Sequence, residues 1–486
     1  MMQMPPPDAS VLSRRQAILA ALQSALPGAV IDDPAETRAY ECDALSAYRC
    51  PPLAVVLPRS TEEVSRLLRL CHDLRVPVVP RGAGTSLAGG SMPSQDAVVI
   101  GLSRMTEVLE IAPGDRMIRV QAGRTNLSVS GAVESLGFFY APDPSSQLAC
   151  AIGGNIAMNS GGAHCLKYGV TTNNLLGVTL VLMDGSVVEL GGPTGEGPGL
   201  DLLGVVCGSE GQLGIVTEAT LRILPRPAGA RPVLVGFDSS ETAGACVAAI
   251  IRAGIIPVAI EFMDSPCIRA TEAYAQPGYP DCEALLIIEV EGTPPEIDEQ
   301  LSLIRDIALR FDPVEFRESR SEDESRRIWL GRKSAFGAMG QMGDYICLDG
   351  TIPVTSLPSV LAGIGDLSRQ YGLAVANVFH AGDGNMHPLI IYDANTAGDL
   401  DRAEALGADI LRLCVEVGGC LTGEHGVGIE KRDLMSVQFD PPDLEAQMRV
   451  KDVFDPHWLL NAAKVFPLEV SAPRRDRRLN RPADAA

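Results

Sequence analysis

Apolar residues recur at helical spacing from Val11 to Leu26 and stop at Pro27-Gly28, which predicts a helical lead-in over residues 1–50. The period then changes. Leu53 to Leu57 is a continuous apolar run of strand length. Ser60-Thr61-Glu62-Glu63 has the form of a capping box, after which Val64, Leu67, Leu68, Cys71 and Leu74 make one helical face. Pro77 to Val79, Ala97 to Leu102 and Met117 to Gln121 read as strands, and Thr125 to Leu136 as a helix. Val178 to Met183 and Ser186 to Leu190 flank Asp184-Gly185, the pattern of a β-hairpin. Gly214 to Ile223 predicts one more strand before Pro225 and Pro227. From about residue 228 strands alternate with long amphipathic helices: Val233 to Phe237, Thr242 to Arg252, Ala284 to Val290, Glu296 to Phe311. That alternation suggests a ferredoxin-like α+β domain. From Ser471 to Ala486 there are five arginines and almost no large apolar side chains, so this tail is expected to be disordered.

Composition narrows the class. A chain of 486 residues, 46% apolar and 21% charged, has the make-up of a soluble protein of two or three domains. Its net charge of −21 disfavours nucleic acid or an anionic membrane as a bulk partner. The twelve cysteines contain no C-x-x-C pair, which argues against a zinc ribbon or an iron–sulfur run and suits a reducing cytoplasm. The N-terminus lacks a signal-type apolar segment. The stretch Ala243 to Ile260 is broken by Arg252, Gly254 and Pro257, so no transmembrane segment is expected.

Candidate chemistry lies in two places. Gly82, Gly84, Gly89 and Gly90 follow a strand directly, and such a loop can bring backbone N–H groups against a pyrophosphate. It is neither a Rossmann fingerprint, because the next element reads as a strand, nor a Walker A loop. Two further small-residue runs, Gly153 to Gly162 and Gly208 to Ile215, imply close backbone approach to something large and flat. The second place holds three of the six histidines. His380 and His387 bracket Ala-Gly-Asp-Gly-Asn-Met, and Glu424-His425-Gly426 comes 37 residues after His387. Asp383-Gly384 argues for a strand ending in a turn, where both imidazoles can converge on one ion. Glu424 can supply a third ligand and leave a position open for substrate; zinc is favoured, and manganese or iron(II) would also fit.

These runs resemble the FAD-binding domain of the vanillyl-alcohol-oxidase/PCMH superfamily over residues 51–228. The motifs His-x-Gly-Asp-Gly-Asn-x-His, Gly-Glu-His-Gly-x-Gly and Leu-Asn-x-x-Lys extend the likeness to the D-2-hydroxyacid dehydrogenase branch, nearest its glycolate-oxidising members. The resemblance implies an α+β fold: a two-part PCMH-type FAD-binding domain, a ferredoxin-like cap domain over 229–440 carrying a metal site, and a C-terminal segment, 441–470, returning to the FAD domain. Pro80, Arg81, Gly82, Ala83, Gly84, Thr85, Ser86 and Gly89 would wrap the pyrophosphate. Pro142, Ser145, Ser146, Gly153, Gly154, Asn155, Ala157 and Asn159 would line the adenosine and ribityl path. Glu210, Gly214 and Ile215 would finish the pocket, and Asn461 would reach the isoalloxazine. The first loop carries Thr85, Ser86 and Leu87, with no histidine or cysteine, so non-covalent FAD is expected. The likeness further implies His380, His387 and Glu424 as metal ligands, His425 as general base and Arg332 as carboxylate-binding arginine. Lys464 reads as a solvated basic side chain outside the site. A lysine and an asparagine typical of hydroxyglutarate enzymes align with Cys347 and Leu389, which favours glycolate or D-lactate. Less favoured are an alkyl-glycerone-phosphate-synthase type of transferase and a non-catalytic flavin-binding subunit. The implied setting is cytoplasmic, peripheral to the inner membrane through a second FAD-domain subunit and an iron–sulfur subunit that pass electrons to quinone.

Overall fold

The computed structural model describes residues 4–193 and 199–477. The chain divides into two compact units. One comprises Met2–Ser160, Val170–Pro225 and Glu424–Ala486; the other comprises Gly161–Gly169 and Arg226–Gly423. They are called here the outer-segment unit and the central unit.

In the outer-segment unit, the lead-in forms helices Ala9–Ser13 and Arg15–Ala25. A four-stranded sheet follows in the order Val30–Ile31, Ala54–Val56, Val98–Gly101, Val78–Arg81, its last three strands parallel. Between two of them lies the helix Thr61–Asp73, started by Ser60, whose Oγ accepts from Glu63 N. The reciprocal half of the expected capping box is displaced by one residue: the Glu63 carboxylate accepts from Arg59 N at 2.7 Å. An antiparallel five-stranded sheet runs Val108–Ala112, Met117–Gln121, Ile215–Arg222, Leu175–Val181, Val187–Gly191. It includes the expected hairpin.

The last part of the chain closes the first sheet. Leu460 forms a parallel bridge with Val78; Val78 N donates to Leu459 O, and Asn461 N to Val78 O. Three lysines, Lys431, Lys451 and Lys464, are buried in this segment. Lys451 ties it down by donating to Gln212 O, Leu460 O and Asp455 Oδ2. Disorder was expected from Ser471, but Leu468–Arg477 is a helix. Its Arg474 is paired with Glu445 and Asp452, so this arginine is spent on neighbours and not on solvent. Residues 478–486 of that tail lie outside the described residues.

The central unit is a seven-stranded antiparallel sheet with helices. Its strands in chain order are β1 (Ala230–Phe237), β2 (Ala259–Asp264), β3 (Ala284–Glu291), β4 (Glu315–Glu318), β5 (Asp344–Cys347), β6 (Val375–His380) and β7 (Pro388–Tyr392). The spatial order is β4-β1-β3-β2-β6-β7-β5. The first four have the ferredoxin-like order, and β6, β7 and β5 extend the sheet from β2. The β2–β6 junction sets Glu261 opposite His380 and Phe262 opposite Phe379. Successive side chains on a strand face opposite ways, so the two phenylalanines stack on one face while the polar pair shares the other.

Candidate active site

The histidine cluster is built on the sheet extension. His380 ends β6, and Asp383 and Gly384 turn the chain into β7. Gly384 has φ +76°, and a Cβ there would meet Ile352 O at 2.1 Å, so only glycine fits. This turn brings His387 back beside His380, their ring centroids 5.2 Å apart and nearly perpendicular.

Each imidazole has a carboxylate that the motif did not reveal. Glu261 Oε1 lies 2.7 Å from His380 Nδ1, and Arg332 lies on the other side, its Nε donating to Glu261 Oε2 at 2.7 Å. Arg332 is on the helix Glu322–Gly340 and is buried, unlike its exposed neighbour Arg326. Burial opposes ionisation of Glu261, but Arg332 and His380 outweigh it and hold the carboxyl below its ordinary range. An ionised Glu261 can only accept, so His380 carries a proton on Nδ1. Asp349 Oδ1 lies 3.3 Å from His387 Nε2. Asp349 also accepts from Gly423 N on both its backbone oxygen and Oδ2, each at 2.9 Å, and from Thr422 Oγ1.

At the end of the β5–β7 ladder, Cys347 faces Leu389, and both are buried. By strand alternation they share the face of Asp349 and His387. The two positions compared with the hydroxyglutarate enzymes are therefore direct neighbours, and together they form an uncharged pair.

In the outer-segment unit the glycine runs converge. A Cβ on Gly82 would touch Gly154 N at 3.6 Å, one on Gly90 would strike Met158, and one on Gly211 would meet Pro80 at 2.7 Å. Arg81 is buried, donates to Cys42 O and packs over Tyr40. Asn126, which the sequence did not single out, joins Pro142 O to Asn155 Oδ1. Asn159 ends the helix Ile152–Met158 at φ +53°. Its neighbour Ala157 accepts from Glu210 N. Asn461 donates through Nδ2 to Gly90 O and Glu210 O and accepts from Lys464 on Oδ1. Glu424, buried, and His425, half-buried, open the chain's return to this unit.

Comparison with known proteins shows the family to which the chain belongs. Residues 52–191 match the model "FAD binding domain" and residues 226–465 match "FAD linked oxidases, C-terminal domain". The glycolate oxidase subunit GlcD of Escherichia coli K12 is 50% identical over 456 residues, 93% of this chain and 91% of that one. The chain belongs to the FAD-linked oxidase family. The Bacillus subtilis glycolate oxidase subunit GlcD is 37% identical, covering 88% of this chain and 92% of its own. Among solved structures, 4-ethylphenol oxidase from Gulosibacter chungangensis superposes with a TM-score of 0.80 at 18% identity, covering 96% and 99% of the two chains. That likeness shows the shared fold.

The FAD-linked oxidoreductase is thus an FAD-binding protein. Gly84 and Gly89 both have φ +75°, where a Cβ would run into Arg81 and Ile429, and the Cβ side of Gly154 faces open space.

Lys464 is not the solvated side chain expected of it. It is 1% exposed and donates to Gly90 O and Asn461 Oδ1. Burial pushes its pKa down to about 7, against the pull of Asp43 and Glu210. Two donated bonds are what a neutral amine can make. Unfolded lysine titrates near ~10.4, so between the two values the unfolded chain holds a proton that the folded chain lacks. Stability linked to Lys464 therefore rises with pH across that window and is lowest below it. The melting temperature of the wild type minus that of Lys464→Met should increase from pH 7 to 9.5; a constant difference would show that the ammonium persists in the fold.

Proposed function

We propose that this oxidoreductase oxidises a small 2-hydroxy acid, glycolate to glyoxylate ahead of D-lactate, with a divalent metal at the histidine cluster. The observation that carries this reading is half identity, over 93% of the chain, to a glycolate oxidase subunit. The uncharged Cys347–Leu389 pair supports the substrate size, because a second carboxylate buried there would meet no cation from these two positions.

His380, His387 and Glu424 would hold the metal. Glu261 fixes the tautomer of His380, Asp349 lies against His387, and Glu424 follows Gly423, which is bonded to Asp349. Two imidazoles and a carboxylate suit zinc, with manganese or iron(II) also served. A bound ion would supply positive charge that lowers the pKa of a 2-hydroxyl. His425 removes the hydroxyl proton as general base. Arg332 already shares its charge with Glu261, so its Nη1 group is what it has left for the substrate carboxylate. Bound FAD would accept the C2 hydrogen as hydride at N5. The absence of histidine and cysteine from Thr85-Ser86-Leu87 supports dissociable flavin.

The twelve cysteines are free thiols without cluster spacing, so electrons would leave through partners: a second FAD-domain subunit and an iron–sulfur subunit. No helix among the described residues is long and apolar enough to cross a membrane, and membrane association would come through those partners. Anaerobic glycolate should bleach the oxidised flavin spectrum, more readily than D-lactate and far more than D-2-hydroxyglutarate. An unchanged spectrum with both glycolate and D-lactate would sink the reading.

A further inference from the structure

Glu210 carries a contact that a wall of the flavin pocket does not need. Its carboxylate spans to the turn that follows His425: Oε1 accepts from Val427 N at 2.6 Å and Oε2 from Gly428 N at 2.7 Å. Both residues lie within the outer-segment unit, more than two hundred positions apart in sequence. The turn is shaped to receive it. Gly426 has φ +83°, and a Cβ there would lie 2.9 Å from Glu210 Cδ. Beyond the clamp, Ile429 N and Glu430 N donate to Ala88 O, and Lys431 Nζ donates to Gly426 O.

Glu210 is itself held on both sides. Its N–H donates to Ala157 O, and its carbonyl accepts from Asn461 Nδ2. Its backbone sits at φ +53°, a left-handed conformation that a residue with a side chain adopts at a cost. Burying a carboxylate is also unfavourable unless its oxygens are well bonded. A buried, conformationally strained anion on two adjacent peptide N–H groups gives little that a neutral, relaxed side chain could not give if cohesion were its only purpose. It does fix the direction of those peptides, and His425 is two residues from the first of them. A base must be held to within about 0.5 Å to work well.

We propose that Glu210 is the positioning residue for His425, acting through its two-oxygen clamp on Val427 and Gly428. This rests on the reading of His425 as the base. It departs from the role that the family resemblance suggests, in which Glu210 completes the flavin pocket.

Two variants test it in the FAD-loaded full-length protein. Glu210→Gln keeps the size but sets an amide N–H₂ against one of the two peptide donors. Gly426→Ala keeps the carboxylate and presses on it. Each should lower kcat for glycolate by about 10²-fold, the scale of a small misplacement of a catalytic group, with KM and FAD affinity changed less than about threefold. Amide hydrogen exchange in the peptide containing Val427 and Gly428 should speed up at least about tenfold, with or without FAD. The double variant should be little worse than either single one, since both break the same clamp. Loss of FAD affinity with kcat retained at saturating FAD would overturn the proposal and return Glu210 to the flavin pocket. Unchanged exchange would overturn it as well. A wild type whose flavin neither glycolate nor D-lactate reduces would remove the base reading. The exchange measurement would then still decide whether the clamp holds the turn.

Discussion

Glu261→Leu should cost the central unit about 3–5 kcal/mol, and adding Arg332→Leu should restore most of it. The single change leaves a guanidinium only 5% exposed without its counter-charge. Arginine cannot shed its proton to escape that position. The double change removes both charges and leaves His380 Nδ1 without its acceptor, a loss of about 1–3 kcal/mol. The ordering of the three proteins is therefore wild type, double variant, single variant. The chain has two tryptophans, Trp329 in the central unit and Trp458 in the other, so a Trp458→Phe background makes Trp329 fluorescence a reporter of the central unit alone. Urea midpoints in that background measure the effect. A double variant no more stable than Glu261→Leu would mean that the cost lies in packing and not in the orphaned charge.

The second large effect concerns the metal. On the proposed ligand set, His380→Ala/His387→Ala should reduce bound metal from about one equivalent to below a tenth, because only Glu424 of that set would remain and one carboxylate cannot hold a divalent ion of this class. Reduction of the flavin by glycolate should slow by at least about 10³-fold. FAD content should be unchanged, since Gly82, Gly84, Gly89, Gly153, Gly154 and Asn461, the positions expected to hold it, lie in the other unit. Elemental analysis alongside the flavin absorbance of the same sample separates the two outcomes; undiminished metal would refute these ligands.

Much of this site could be anticipated from the sequence because its signals are local. Glycine runs, a His-x₆-His spacing and a Glu-His pair each declare themselves within ten residues. Secondary structure was legible for the same reason: the apolar period changes at Pro27-Gly28 and again near residue 228. Carboxylates that work across strands do not announce themselves this way. Glu261 acts on His380 only because β2 and β6, over a hundred residues apart, lie side by side. In retrospect its signal is a lone charge inside Ala259-Ile260-Glu261-Phe262-Met263, a run otherwise fit for a core. Asp349 follows two buried residues, Cys347 and Leu348, in the same manner. Lys464 was misread because a lysine near the end of a chain is usually in water, and only the return of that segment onto Val78 buries it.

That return has a consequence in time. The edge at Val78 is completed by Leu459 to Asn461, and Gly90 receives bonds from Asn461 and Lys464. During synthesis from the N-terminus, the first glycine loop leaves the ribosome long before the residues that brace it. The whole central unit is made in between. That sheet edge therefore stays unfinished until Leu459 to Asn461 have been made, and the nascent chain must keep it from pairing elsewhere until then.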